Sequence, residues 1–180
     1  MPAISLALLR GINVGGKNKL PMDALREIFA AAGCADVRTY IQSGNVLFHA
    51  PPEVVAAVPD AVTAQIAARF GYRVPVILRT NGELDAVIRG NPFVAQGAAD
   101  ETLHVLFLAG QPDAGRIAAL DANRSAPDTF AVRGQEVYLH LPNGAARTKL
   151  TNEYFDTKLA TVSTGRNWRT ATTLLALMRG

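Results

Sequence analysis

The chain has little cysteine and no long apolar run, and each of these two shortages excludes a class of protein. Cys34 is the single cysteine, which excludes an internal disulfide and a cysteine-rich zinc site. Such a composition suits the reducing cytoplasm. No stretch approaches the roughly 20 apolar residues that span a bilayer, and Ala3–Leu9 is too short for the apolar core of a signal peptide. We therefore expect a cytoplasmic protein with no membrane partner.

Lysine supplies four of the eighteen basic residues, and arginine supplies the other fourteen. The net charge of +3 is unevenly distributed: residues 1–80 carry +3, residues 81–143 carry −4 and residues 144–180 carry +4. Positive charge at both ends of the chain suits an anionic partner without requiring a polyanion.

Hydrophobic periodicity predicts a β-α-β-β-α-β order in the first half of the chain. A Gly-rich loop follows the first strand, Ser43-Gly44 turns a hairpin, and the second helix carries Pro59 in its first turn. This order is that of the ferredoxin-like, or split βαβ, unit, in which two helices cover one face of a four-stranded sheet. The four strands are expected near residues 4–10, 37–41, 45–49 and 74–78.

The second half repeats the order without recognisable residue identity between the halves. The capping box Thr80–Glu83 begins a connecting helix, and Ala95–Ala99 is the best linker candidate. Later elements are a helix at Pro112–Ala122, a short edge strand at Ala160–Ser163 and a terminal helix. The sequence thus predicts an α+β fold of two tandem ferredoxin-like units, with residues 1–80 as the first unit, 81–99 as connecting helix and linker, and 100–180 as the second unit with its C-terminal helix.

The loop Gly11–Lys19 follows a strand and nearly matches a P-loop. Asn18 replaces the Ser or Thr that would hold magnesium, and the predicted sheet is not the parallel one that P-loop enzymes use. A nucleotide hydrolase is therefore disfavoured. Two interpretations stay open: the glycines direct successive backbone N–H groups at one anion, with charge from Arg10, Lys17 and Lys19, or they form an ordinary turn with solvated lysines.

Two segments near the C-terminus place basic and hydroxyl side chains just before or at predicted helix starts. They are Arg147–Asn152 and Thr164–Arg169. The unpaired N–H groups and dipole of a helix start favour an anion. Alternatively, Thr151 and Thr164 are helix caps and Trp168 is a core anchor.

Other reactive groups are isolated along the chain. His49, His104 and His140 lie singly on predicted strands, without ligands at metal-binding spacing. Cys34 has no evident activator, and Ser43 lies in a hairpin turn, not in a nucleophile elbow. We therefore predict no metal and no cofactor, and we identify no catalytic residue.

Four segments together resemble one bacterial protein family, which is catalogued as domain of unknown function 1697. The resemblance spans nearly the whole chain and implies two fused ferredoxin-like subdomains. It implies no activity. The segments are Leu8–Lys17, Ser43–Val46, Asn91-Pro92-Phe93 and Arg166-Asn167-Trp168.

The leading functional hypothesis is binding of an anionic, phosphate-bearing ligand such as a nucleotide or a nucleic acid. Tyr40 and Phe48 are the only candidates for base stacking in the first unit, so an RNA-recognition sheet is poorly supported. One alternative is a small-molecule enzyme with a cleft between the units, although no general base is evident; another is a protein–protein interaction module. The oligomeric state is left open. The predicted ligand-binding residues are Arg10, Asn13, Gly15, Gly16, Lys17, Gln42, Asn45, Lys149, Arg166 and Asn167.

Overall fold

Two four-stranded antiparallel sheets form the framework of the protein, as described by a computed structural model for residues 2–180. These residues form an α+β structure with seven α-helices and one 3-10 helix. The chain divides into unit 1, which runs to Leu84 and includes Ala176–Gly180, and unit 2, which is Asp85–Leu175. The boundaries drawn at residues 80 and 99 from the sequence stay a prediction.

Unit 1 has the strand order β2-β3-β1-β4, with antiparallel pairing throughout. The predicted alternation of strands and helices is confirmed. The elements are β1 (Ile4–Leu9), α1 (Met22–Ala31), β2 (Ala35–Tyr40), β3 (Asn45–His49), α2 (Pro52–Phe70) and β4 (Val76–Thr80), and α3 (Asn81–Arg89) begins directly after β4.

The core of unit 1 lies between the sheet and helices α1 and α2. The apolar stripe of α1 places Leu25, Ile28 and Phe29 in this core, where the rings of Phe29 and Phe48 lie 5.5 Å apart. Pro59 lies inside α2, so its predicted first-turn position is wrong. The reason is that Pro51 and Pro52 already begin this helix, because proline suits a first turn, where backbone N–H groups have no helical partner.

Unit 2 has the strand order β6-β7-β5-β8, again antiparallel. Its core contains Leu106, Leu139 and Phe155 between the sheet and helices of this unit. The elements are α4 (Pro92–Ala95), a 3-10 turn (Asp100–Thr102), β5 (Leu103–Leu108), α5 (Ala114–Ala118), β6 (Thr129–Arg133), β7 (Glu136–His140), α6 (Asn152–Leu159), β8 (Ser163–Asn167) and α7 (Trp168–Arg179).

Three predictions for the second half of the chain are corrected. The edge strand begins at Ser163, not at Ala160, because Ala160 takes a left-handed conformation that ends α6. Thr164 therefore lies within β8 and is not a helix cap. Helix α5 is shorter than predicted, and a turn follows it in which Asn123 N donates to Asp121 Oδ1 at 2.9 Å.

The part of α3 from Asp85 onward belongs to unit 2 and contacts the second face of the sheet of that unit. The Tyr138 hydroxyl donates to Val87 O at 2.9 Å, and burial, followed by the nearby Glu136 carboxylate, raises the pKa of Tyr138 to about 12. The hydroxyl therefore stays protonated at neutral pH and keeps this bond.

Within residues 2–180, no helix combines the length and the apolar content that crossing a bilayer requires.

Candidate functional site

The Gly-rich loop after β1 folds as a miniature hairpin. Val14 and Lys17 pair as an isolated bridge, and Lys17 N donates to Val14 O at 2.9 Å. Gly15 and Gly16 have φ of 57° and 74° between them, as a two-residue type I′ turn requires. The glycines therefore reverse the chain at an exposed tip, and their conformation is explained without an anion.

Asn13 joins this hairpin to the loop between β2 and β3. Its Nδ2 donates to Leu20 O at 3.0 Å and to Gln42 O at 2.9 Å, and its Oδ1 accepts from Leu20 N at 2.8 Å. Asn13 has φ of 53°, a region that asparagine enters more readily than most residues. The side chain thus acts as a clamp between two loops.

The loop Ile41–Gly44 is held closely against β1. A Cβ on Gly44 would lie 2.7 Å from Leu9 Cβ, and Gly44 has φ of 82°, so only glycine fits here. The neighbouring Asn45 is fully buried, and its Nδ2 donates to Tyr40 O and to Ser43 Oγ. Ile41 has φ of 50°, which costs a β-branched residue about 1–2 kcal/mol.

Only some of the predicted ligand-binding residues of unit 1 lie together. A groove of about 350 Å³ contains three of them, namely Asn13, Gly16 and Gln42. Gly15 and Lys17 lie at the exposed hairpin tip, whereas Arg10 follows the end of β1 and Asn45 is buried. The groove is completed by Lys19, Leu20 and Pro21.

A cavity of about 500 Å³ lies within unit 2, against its sheet and the start of α6. Both C-terminal segments singled out in the sequence contribute to its wall: Thr148 and Asn152 come from the first, and Gly165 and Asn167 from the second. They are far apart in the chain, and the antiparallel pairing of β8 with β5 and the position of α6 bring them together. The apolar part of the wall consists of Leu106, Leu139, Leu141 and Leu150, with Ala145 and Ala146.

The polar groups of the cavity are held by hydrogen bonds. Thr151 Oγ1 accepts from Tyr154 N and so caps α6, which confirms the alternative interpretation of this residue. Asn152 Nδ2 donates to Ser163 Oγ at 2.8 Å, and Asn167 Oδ1 accepts from Thr170 N at 2.8 Å at the start of α7. These bonds fix where the side chains lie before any ligand arrives.

His104 lines the cavity from β5 and was not among the predicted ligand-binding residues. Burial lowers the pKa of its imidazole below the usual 6.5, so the ring is neutral at neutral pH. Its buried Nδ1 has no hydrogen-bond partner within residues 2–180. The sequence signal for this residue is weak because a lone histidine on a strand is common.

Arg166 contributes to the cavity wall, but its guanidinium is directed elsewhere. Ser163 and Gly165 face α6 and Leu106, so alternation along β8 directs Arg166 to the opposite face of the sheet. There Nη1 donates to Thr164 Oγ1 and to Gly165 O, each at 2.8 Å. Burial lowers the pKa of Arg166 to about 10, which leaves it charged at neutral pH.

Lys149 lies beside the cavity on the loop that precedes α6. Its side chain is exposed, while its backbone is fixed by Lys149 N donating to Ser125 Oγ and by Arg124 Nε donating to Lys149 O. The Arg124 guanidinium also lies 4.1 Å from the ring of Tyr154. Arg147 is exposed on the same loop and lines a neighbouring pocket of about 400 Å³ that Asp128 also lines, so neither cation is among the residues that line the 500 Å³ cavity.

The strand registers align the two units residue by residue, which the sequence comparison missed. Leu6 pairs with Arg79 in unit 1, and Val105 pairs with Arg166 in unit 2. Each arginine donates Nη1 to the carbonyl of the preceding residue at 2.8 Å. The same registers make His49 equivalent to His140, Thr80 to Asn167, and the pair Ala7 and Leu78 to the pair Leu106 and Gly165.

Metal and thiol chemistry find little support among the described residues. Within residues 2–180, no group of three His, Cys, Asp or Glu side chains is close enough to hold a metal ion. Burial raises the pKa of the Cys34 thiol to about 11, which leaves the thiol protonated and unreactive at neutral pH.

Comparison with known proteins identifies a family and a structural neighbour. The family described as Protein of unknown function (DUF1697) matches residues 3–138. The structure of the conserved bacterial protein SP0830 from Streptococcus pneumoniae is similar with a TM-score of 0.72 at 20% sequence identity, covering 97% of this chain and 98% of that one. No curated protein matches the chain. At this identity the likeness concerns the fold alone.

Proposed function

Since the chain belongs to the family described as Protein of unknown function (DUF1697), whose description names no reaction, we propose its function from its own residues. The proposed function is binding of a small anionic, phosphate-bearing ligand, such as a nucleotide, in the cavity of unit 2. The observation that carries the proposal is that two separate segments, chosen for anion-binding chemistry, line one cavity of about 500 Å³.

The size and lining of the cavity suit a small organic ligand. Small-molecule sites are typically about 300–1,000 Å³, with an apolar wall and a few oriented polar groups. Leu106, Leu139 and Leu150 offer apolar contact to a ring, and Asn152 and Asn167 offer amide groups nearby. The neutral imidazole of His104 adds a group that can donate or accept a hydrogen bond.

The charges around the cavity favour an anionic group at its rim. The first turn of α6 has backbone N–H groups without helical partners, and the helix dipole adds about 0.3–1 kcal/mol for an anion there. The carboxylate of Glu153 opposes this attraction, while the exposed Arg147 and Lys149 support it. The support for an anion therefore comes from the start of α6 and from the cations of the preceding loop, and Glu153, which lines the cavity, is the group that opposes it.

A nucleic acid is the less supported ligand. Recognition of single-stranded RNA on such sheets relies on exposed aromatic side chains that stack on bases, and Phe48 is fully buried.

The proposal also includes a finer assignment of the fold. Each unit has the ferredoxin-like βαββαβ fold, which the strand orders β2-β3-β1-β4 and β6-β7-β5-β8 support.

The test uses a variant that fills the cavity by copying unit 1. A Cβ on Gly165 would lie 2.9 Å from Leu106 Cδ2, so Gly165→Leu is combined with Leu106→Ala to reproduce the Ala7–Leu78 pair. Isothermal titration calorimetry with nucleoside mono-, di- and triphosphates, their nucleosides and inorganic phosphate measures binding across a salt series. We expect the nucleotides to bind more tightly than the nucleosides, with affinity falling as salt increases.

We expect the double variant to weaken nucleotide binding at least about tenfold, or 1.4 kcal/mol. The control is Gly115→Leu on the exposed face of α5, where a Cβ meets nothing within 4 Å, and circular dichroism checks the folding of each variant. A panel without any binding nucleotide, or binding that survives in the folded double variant, would contradict the proposal. His104→Leu provides a second variant that leaves the sheet backbone unchanged.

A further inference from the structure

Two adjacent loops of unit 1 expose apolar side chains that folding does not explain. We call the segments 11–20 and 41–44 the paired loops. Val14 is 62% exposed and Ile41 is 51% exposed, and both count among the large apolar residues most open to solvent. Single exposed apolar residues are ordinary, but two on loops joined by one side chain indicate a surface.

The paired loops form a rigid support for these two side chains. Asn13 links them through the bond from its Nδ2 to Gln42 O at 2.9 Å and holds Leu20 on the other side of the hairpin. Tyr72 adds a bond from its hydroxyl to Lys19 O at 2.7 Å. A preorganised surface loses less conformational freedom when a partner binds.

Ile41 is the feature that most directly indicates a partner. Its left-handed backbone disfavours a β-branched residue, and asparagine or glycine adopts φ of 50° more readily. Because half of the side chain stays in water, burial within the chain offsets little of this strain. The isoleucine is thus costly for the free protein and useful only to a surface that covers it.

The positive charge of the paired loops indicates that the partner surface is negatively charged. The two segments contain no Asp and no Glu, and Lys17 and Lys19 are exposed. Within residues 2–180, neither lysine takes part in an ion pair. The groove of about 350 Å³ between the loops has Leu20 and Pro21 in its wall, which suits one large apolar side chain.

We propose that the paired loops bind a short acidic segment of another protein. Its carboxylates pair with Lys17 and Lys19, one apolar side chain enters the groove, and its flanking apolar residues cover Val14 and Ile41. A nucleic acid fits this surface less well, because β-branched side chains neither stack on bases nor hydrogen-bond to their edges. This surface is separate from the proposed ligand cavity of unit 2, and neither proposal depends on the other.

Fluorescence anisotropy with labelled synthetic peptides tests the proposal on the full chain. The probe peptides alternate Asp or Glu with Leu or Phe; matched peptides replace either the acids with Lys or the apolar residues with Ser. We expect binding of the acidic apolar peptides only. Ile41→Asn should weaken it at least about tenfold while raising Tm by a few degrees, which separates lost contact from lost folding.

The control variants fix the interpretation of this experiment. Val162→Ser removes a 38% exposed apolar side chain from unit 2 and should leave peptide binding unchanged. Lys17→Glu should weaken binding by a similar factor to Ile41→Asn. Failure of every acidic apolar peptide to bind, or unchanged binding by Ile41→Asn, would overturn the proposal. Equally tight binding of a labelled oligonucleotide would also overturn it, because the partner would then be a polyanion and not an acidic protein segment.

Discussion

Unit 1 and unit 2 share a strand order and register, yet they fill the space beneath their helices differently. In unit 1 Leu78 lies opposite Ala7, whereas at the equivalent positions of unit 2 Gly165 lies opposite Leu106. The connection from β3 to α2 has two residues, while that from β7 to α6 has eleven, residues 141–151. One topology thus yields a packed core in one unit and a cavity in the other, because a side chain and a loop length differ.

The Gly-rich loop and the hairpin turn of unit 1 differ in role from what their sequence indicates. Its glycines and asparagines resemble ligand-binding residues in sequence, but Gly15, Gly16 and Gly44 have backbone reasons for their identity, and Asn13 and Asn45 donate to backbone carbonyls. Their structural roles produce a rigid pair of loops in unit 1. In unit 1 the loop 41–44 joins β2 to β3. In unit 2 the equivalent strands β6 and β7 are joined by only two residues, Gly134-Gln135.

The largest expected difference between the units lies in their hairpin glycines. Gly44→Ala should lower the free energy of unfolding by about 3 kcal/mol, since it combines a left-handed φ with a Cβ contact of 2.7 Å to Leu9. Gly134→Ala should cost about 1 kcal/mol, since its Cβ meets only Glu136 Oε2 at 3.9 Å. Urea unfolding measures both, and equal costs would remove the distinction between the two hairpins.

Removal of the helix caps that follow β4 and β8 should destabilise the protein by similar amounts. Thr80 Oγ1 accepts from Glu83 N, and Asn167 Oδ1 accepts from Thr170 N, at equivalent positions of the two units. Thr80→Ala and Asn167→Ala should therefore each cost about 1 kcal/mol of stability. Thermal unfolding compares them, with Thr172→Ala as control, since the half-buried Thr172 donates its hydroxyl only within α7, to Arg169 O. A much larger loss for Asn167→Ala would show a role beyond capping.

The smallest expected effect is a pH dependence confined to unit 2, where His104 stands at the position of Ser5. Burial lowers the pKa of His104 below its usual 6.5, so the unfolded chain takes up this proton at a higher pH than the folded chain. The stability associated with the neutral ring is present above that value and is lost as pH falls through the folded pKa. His104→Leu should flatten Tm between about pH 7 and pH 5, whereas Ser5→Ala should leave its slope unchanged.

Much of the fold was predictable because its signals are local. The hairpin strand at residues 45–49, the α1 stripe with Leu25 and Phe29, and the Thr80–Glu83 capping box all depend on neighbours in the chain, and the structure confirms them. Errors occurred where local signals conflict, as at Pro59 inside α2 and at Thr164 inside β8. The family was likewise recognisable from short motifs.

The candidate site was only half predictable. Arg147–Asn152 and Thr164–Arg169 were chosen for their chemistry, but the meeting of parts of both on one cavity depends on strand pairing across long sequence separations. His104 was interpreted as a lone strand histidine for the same reason, and the direction of the Arg166 guanidinium depends on the face to which β8 turns it. The equivalence of Arg79 and Arg166 is visible only after the registers are aligned.

By itself, the sequence determined the kinds and order of the elements, the turns that need glycine and the family, since periodicity and backbone sterics act over a few residues. The tertiary structure alone decided which side chains share a space: the cavity beside Gly165, the clamp by Asn13 and the exposure of Ile41 beside it. Such proximity arises from packing between distant segments, and no local pattern encodes it.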